Sequence, residues 1–225
     1  MSAASRDAFS RPVFDQTIRI QSNHAQRLLD RGFLLVVRAL YGIDVVLRII
    51  GDDEEMDQVD EIVGKLIGEL AEELKAEHAR LAQLRETNGI SATPRYTNPK
   101  RITVHISSPQ LAQYTALIEE LDRLMTVMDA LWLTGVLTNK QRADGAYQWR
   151  TRILRTGREI IEIERRARAS AEKRGKGEEL AGVEAPVLAE DVAEEGVEVA
   201  GGTGETASDA SEDAEAGSPG HSARE

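Results

Sequence analysis

Cysteine is absent from all 225 residues. Disulfides and thiolate metal sites are therefore excluded, and a reducing compartment fits. No long apolar run is free of charge either. The most hydrophobic stretch, Gly32 to Gly51, is interrupted by Arg38, Asp44 and Arg48, charges that a bilayer tolerates poorly. The N-terminal MSAASRDAFSRPVFDQ lacks the continuous apolar core of a secretory signal. The expectation is a soluble cytoplasmic chain with no membrane partner. Catalytic signatures are missing too. His24, His78, His105 and His221 share no ligand spacing, and no G-x-x-x-x-G-K-[ST] loop occurs. Gly201-Gly202-Thr203-Gly204 has no strand–helix context to make it a phosphate loop, and acid pairs such as Glu72-Glu73 and Glu119-Glu120 read as solvated helix faces. The chain is expected to be no enzyme and to need no cofactor.

A net charge is lacking where it first seems to be. The formal total is -11, but residues 1–173 hold 25 basic and 25 acidic side chains, and residues 174–225 hold 3 and 14. Acidity belongs to the C-terminal segment, so the body must be judged by where its charges cluster. Residues 52–77 carry 11 acids against Lys65 and Lys75, while residues 140–168 carry nine basic residues and four acidic ones.

What is present is a strand-then-helix pattern that occurs twice. In RITVHI, Ile102, Val104 and Ile106 point one way and Arg101, Thr103 and His105 the other, the period-2 signature of a half-buried strand. Ser108-Pro109 then supplies a helix start. Behind it Leu111, Tyr114, Leu117, Ile118, Leu121, Leu124, Met125, Met128, Leu131 and Trp132 recur at helical spacing. Near the N-terminus, Ile18 and Ile20 alternate with Thr17, Arg19 and Gln21, and Ser22 or Asn23 can cap a helix over about 24–50 that is apolar around most of its circumference. Such a helix lies in a core or at an oligomer interface. A helix over about 53–87 follows, with a stripe from Val59, Ile62 and Val63 to Leu84. The T-x-x-Q spacing of Thr138 and Gln141 starts a last helix over about 139–172, with Tyr147, Trp149 and Ile153 among its apolar members.

These elements predict a mainly α protein with four long helices and a small two-stranded antiparallel ribbon, since one isolated strand is not stable. Residues 1–15 read as a flexible arm, 16–173 as one α-rich domain with strands near 16–22 and 101–107, and 174–225 as a disordered acidic tail too poor in apolar residues to offset its ordering entropy.

If the isoleucines and Val104 face the core, then Thr17, Arg19, Gln21, Arg101, Thr103 and His105 share the outer face of the ribbon. A two-stranded ribbon fits the major groove of B-DNA, where Arg, Gln and Thr read base edges. The helix starts at Ser22 and Ser108 would aim N–H groups at flanking phosphates. The competing reading is a hairpin whose outer face is merely solvated. LTGVLTNKQRADGAYQWRTRIL also has the outline of a helix-turn-helix, with Lys140, Gln141, Arg142, Gln148, Arg150 and Arg152 on its second helix. Its alternative is a peripheral helix whose arginines answer the acids of 52–77.

The run ISSPQLAQYTALIEELDRLMTVMDALWLTGVLTNKQR, with Trp149 after it and the upstream strand and HAQRLL segment before it, resembles the AcaB-like family of conjugative plasmids and integrative conjugative elements. The resemblance covers about residues 14–170. It implies a bacterial, cytoplasmic, DNA-binding transcriptional regulator of the ribbon-helix-helix kind that activates transfer functions. The helices here are longer than in small ribbon-helix-helix dimers, and one chain supplies both strands. Double-stranded DNA and a homodimer are the expected partners, with the acidic tail able to contact the basic surface of its own chain. A non-enzymatic helical interaction or assembly protein of the same element is the rival expectation.

Overall fold

The structure, a computed structural model, describes residues 12–50 and 53–176, and the side chains of 48–50 and 53 are left aside. Most of the arm and of the acidic tail lie outside the described residues. Strand β1 (Phe14–Ile20) pairs antiparallel with β2 (Lys100–Ile106), with Ile18 opposite Ile102 and Gln16 opposite Val104. The inner face is apolar and closed: Ile18, Ile20, Ile102, Val104 and Ile106 are all buried. Both strands begin earlier than expected. Phe14 and Asp15, assigned above to the arm, are ribbon residues opposite Ile106 and His105.

Each strand runs into a serine-capped helix. The Ser22 hydroxyl accepts from Ala25 N–H (3.3 Å) and starts α1 (Asn23–Leu28). The Ser108 hydroxyl accepts from Leu111 N–H (3.2 Å) and starts α4 (Pro109–Leu133). A side-chain oxygen here satisfies an N–H that has no partner within its helix. Helix α1 continues through a π-helical segment, Leu29–Phe33, into α2 (Leu34–Ile50), so the single helix expected over 24–50 is present with a wider turn in its middle. Ala25, Leu29, Phe33 and Val37 are buried at a spacing of four. An ideal α-helix drifts out of phase with that spacing, and one wide turn restores it.

Helix α3 (Asp53–Thr87) packs along α4, and α5 (Asn139–Lys173) packs along α2. Helix α4 is the centre. Nine of the ten apolar residues read from its sequence are buried, and Trp132 is half-buried. The inner face of the ribbon rests on α4. Thr138 and Gln141 form the expected capping box at the start of α5. Two apolar residues placed on core stripes by their spacing are instead exposed: Tyr147 at 60% and Ile62 at 52%.

Candidate nucleic-acid interface

The antiparallel register stacks the outer face of the ribbon into cross-strand pairs: Asp15 with His105, Thr17 with Thr103, Arg19 with Arg101. Residues directly opposite on one face interact as pairs, and like charges so placed are destabilising. The three pairs differ in what they leave available. The Asp15 carboxylate meets His105 Nδ1 in an ion-pair geometry. The hydroxyls of Thr17 and Thr103 share a hydrogen bond of 3.1 Å while remaining in contact with water. Arg19 and Arg101 are exposed and make no hydrogen bond or ion pair with any described residue. Two opposed guanidinium groups therefore form the free, positive end of the face.

Gln21 is a correction. Strand β1 ends at Ile20, so Gln21 lies past the ladder and is half-buried. Its N–H donates to Asp122 Oδ2 (3.0 Å), and its carbonyl accepts from Gln26 Nε2 (3.3 Å). Of the six candidate residues, five share the outer face of the ribbon and Gln21 belongs to the turn.

The helix starts also differ from expectation. Ser22 N–H donates to Asp122 Oδ1 at 2.7 Å, so a buried carboxylate from α4, only 4% exposed, already sits at the start of α1. At the start of α4, Ser107, Ser108, Pro109 and Gln110 border a small hollow shared with Asp44 and Asp60. A phosphate at either helix start would meet protein carboxylates. Cationic contacts must come from the arginines instead.

The basic helix α5 is largely committed within the chain. Arg142 Nε donates to Asp129 Oδ1 and its guanidinium lies 4.6 Å from the Trp132 ring centre. Arg152 stacks at 4.6 Å on Trp149 and forms an ion pair with Glu73 of α3. Gln141 is held in the capping box. Lys140 and Gln148 remain exposed, and Arg150 lies over the Tyr147 ring at 5.8 Å. Of the six residues named for a helix-turn-helix, four are thus engaged by their own fold. Among the described residues, no group of three or more His, Asp or Glu could hold a metal ion.

No family model matches the sequence, and no curated protein matches it. A solved structure does. The crystal structure of selenomethionine-containing AcaB from uropathogenic E. coli is 46% identical, with a TM-score of 0.75, over 81% of this chain and 94% of that one. This chain belongs to the AcaB family. Its ribbon-on-helix architecture is therefore an AcaB family fold, and both strands of the ribbon come from one chain.

Two residues that sequence reading missed hold this AcaB-family ribbon in place. Asp122 ties the end of β1 to α4, as described. Gln26 Nε2 lies within hydrogen-bonding distance of the carbonyls of Ile20 (3.2 Å), Gln21 (3.3 Å) and Asn98 (2.8 Å), joining the end of β1 to the segment that enters β2. A second network anchors the same segment. Tyr96 hydroxyl donates to Asp129 Oδ2 (2.7 Å), and burial followed by that carboxylate raises the phenol above its ordinary pKa. His24 lies close enough to feel Arg142 and Asp129; burial first, then Arg142, lowers its pKa from 6.5.

Proposed function

We propose that the chain is a cytoplasmic, non-enzymatic DNA-binding regulator of transcription that reads duplex DNA with its ribbon and activates transfer genes of a conjugative plasmid or integrative element. One observation carries the reading: Arg19 and Arg101 stand opposite each other on the outer face of a rigidly seated ribbon, and neither is neutralised within the described residues. Like charges in direct opposition cost stability in the free protein. A guanine edge or a phosphate oxygen would relieve that cost, because guanidinium pairs with both in bidentate geometry. Thr17 and Thr103 beside them supply hydroxyls that can donate or accept. Membership of the AcaB family supports the regulatory role, and no helix among the described residues is long and apolar enough to cross a membrane.

The test begins with selection of a preferred duplex from a random pool by the full chain. Binding to that duplex and to a scrambled one is then measured at several salt concentrations. Arg19→Ala and Arg101→Ala should each lose roughly 1–3 kcal/mol of discrimination, the worth of a bidentate base contact. Arg150→Ala, if it affects binding, should weaken both duplexes alike and lower the salt slope by about one. Failure of the pool to enrich, or unchanged binding by both ribbon variants, would remove the DNA reading and leave an interaction protein with a purely structural ribbon.

A further inference from the structure

Most arginines of α5 have an acidic partner: Arg142 pairs with Asp129, Arg152 with Glu73, Arg155 with Glu159, Arg165 and Arg166 with Glu162, and Arg168 with Glu164. Arg150 and Arg158 have none among the described residues. Arg150 lies over the Tyr147 ring, and Arg158 Nε makes only a 3.4 Å contact with the Leu154 carbonyl. Arg150, Leu154 and Arg158 follow at a spacing of four and form one ridge of the helix.

That ridge borders α2. A β-carbon built at Gly32 meets Leu154 Cδ2 at 3.5 Å, Val36 lies against Gly157, and Gly42 lies against Glu164. The partner positions rise together, so α2 and α5 run parallel. Across the seam, Arg27, Arg31, Leu35 and Arg38 are all exposed and recur at spacings of four, four and three, one face of a helix. Arg31, Leu35 and Arg38 each stand two positions, about 200° of helix, before a buried core residue: Phe33, Val37 and Leu40. They therefore face away from the core. Arg27, Arg31 and Arg38 make no hydrogen bond or ion pair with any described residue. Burial and Arg142 lower the pKa of His24 most, but Arg150 and Arg27 lower it as well, so the two rows begin side by side.

The position of this face identifies its occupant. Ile20 and Lys100 form the rung of the ribbon next to Arg19 and Arg101. Gln26 Nε2 donates to the Ile20 carbonyl (3.2 Å), and Asp30 pairs with Lys100. The residues that follow Gln26 and Asp30 are Arg27 and Arg31. The face thus continues from the end of the ribbon that carries Arg19 and Arg101. From Arg27 to Arg38 it runs about 16 Å at about 1.5 Å per residue, too far for one small anion to bridge. Guanidinium pairs with phosphate in bidentate geometry, and duplex DNA presents one phosphate charge per about 1.7 Å of its axis.

We propose that this arginine face binds the phosphate backbone of duplex DNA beside the site under the ribbon, adding affinity without sequence preference. The proposal rests on the ribbon reading for its partner, and its test keeps the two apart.

Fluorescence anisotropy of the full chain on the preferred and scrambled duplexes, across a salt series, is that test. The variant Arg27→Ala/Arg31→Ala/Arg38→Ala should bind both duplexes about tenfold or more weakly at about 0.1 M salt and lower the salt slope by about three. The ratio of affinities for the two duplexes should not change. The corresponding triple lysine variant keeps the charge and should keep most of the slope. Arg80→Ala, on the exposed side of α3, controls for net charge and should leave the slope as it is, with circular dichroism confirming every fold. An unchanged slope in the triple alanine variant, or an equal fall per charge in Arg80→Ala, would overturn the proposal and leave the ribbon reading standing. If the wild type binds both duplexes equally and the triple alanine variant weakens both, the ribbon reading fails and this face stands. Failure to bind either duplex ends both. Loss of polyglutamate binding with duplex binding intact would give the face to an acidic protein segment and overturn the proposal too.

Discussion

A β-carbon built at Gly157 falls 2.8 Å from Val36 Cγ2 and 2.9 Å from the Tyr114 hydroxyl, inside any real contact distance. At Gly64 on α3 the same construction meets nothing within 4 Å. Glycine within a helix costs roughly 0.5–1 kcal/mol relative to alanine, so propensity alone favours alanine at both positions. Packing reverses the sign at Gly157. Overfilling a close-packed crossing of α2, α4 and α5 costs typically about 1–3 kcal/mol, which exceeds the propensity gain. Urea denaturation should find Gly157→Ala destabilised by about 1 kcal/mol or more and Gly64→Ala stabilised by up to about 1 kcal/mol. Equal effects at the two sites would mean that α2 and α5 can separate freely. From sequence alone both glycines look like weak points, because close approach depends on a helix more than a hundred residues away.

His24 makes a second prediction at this scale. Its Nδ1 is buried without a partner among the described residues, and burial and Arg142 lower its pKa from 6.5. Below pH 6.5 the unfolded chain takes up a proton there that the folded chain resists, so the unfolded state binds more protons and stability falls as pH falls. The loss grows from the ordinary value of 6.5 down to the lowered folded value and then levels. His24→Asn should flatten the slope of unfolding free energy against pH in that window, as chemical denaturation at successive pH values would show. An unchanged slope would place the dependence on another group.

At the scale of elements, the junction between ribbon and helices decides how rigidly the outer face of the ribbon is held. Asp122 accepts from two consecutive backbone N–H groups inside a buried site. Asp122→Ala leaves both without a partner, and hydrogen bonds to a charged group contribute about 1.5–3 kcal/mol each. A loss of roughly 3 kcal/mol is expected, with Asp122→Asn losing less because its carbonyl oxygen keeps one acceptor. Amide exchange at Gln21 and Ser22 should accelerate in the alanine variant beyond its global destabilisation. The strands, the serine caps and the α4 stripe were legible in the sequence because they depend on residues within four positions of each other. Asp122 was not, since its partners are about a hundred residues distant. The start of β1 escaped for a similar reason: Gln16 interrupts the apolar alternation, Phe14 is exposed, and only pairing with Ile106 and His105 defines the strand there. The outward face itself was readable from alternation, whereas the opposition of Arg19 and Arg101 is a fact of register that neither strand contains alone.

For the whole molecule, the governing feature is the separation of charge along the chain. Residues 177–225 carry 14 acidic side chains and one basic one. The same segment is joined covalently to a body whose ribbon presents two guanidinium groups that no described residue neutralises. A tethered polyanion competes with DNA phosphate at an effective concentration set by the tether, and dilution does not weaken it. Its long-range repulsion of DNA also slows encounter. Both effects act through solvent, where the screening length is about 10 Å at 0.1 M salt and about 3 Å at 1 M. Deleting residues 177–225 should therefore tighten DNA binding at low salt, and the gain should shrink steadily as salt rises. The loss of affinity with salt should also become steeper, because cations that the acidic segment had occupied would then pair with phosphate and release counterions. Fluorescence anisotropy of full-length and shortened chains on one duplex, across a salt series, measures both quantities. Equal affinities at every salt concentration would free the ribbon from any competition by the segment, and weaker binding after deletion would make those residues part of the DNA-binding assembly.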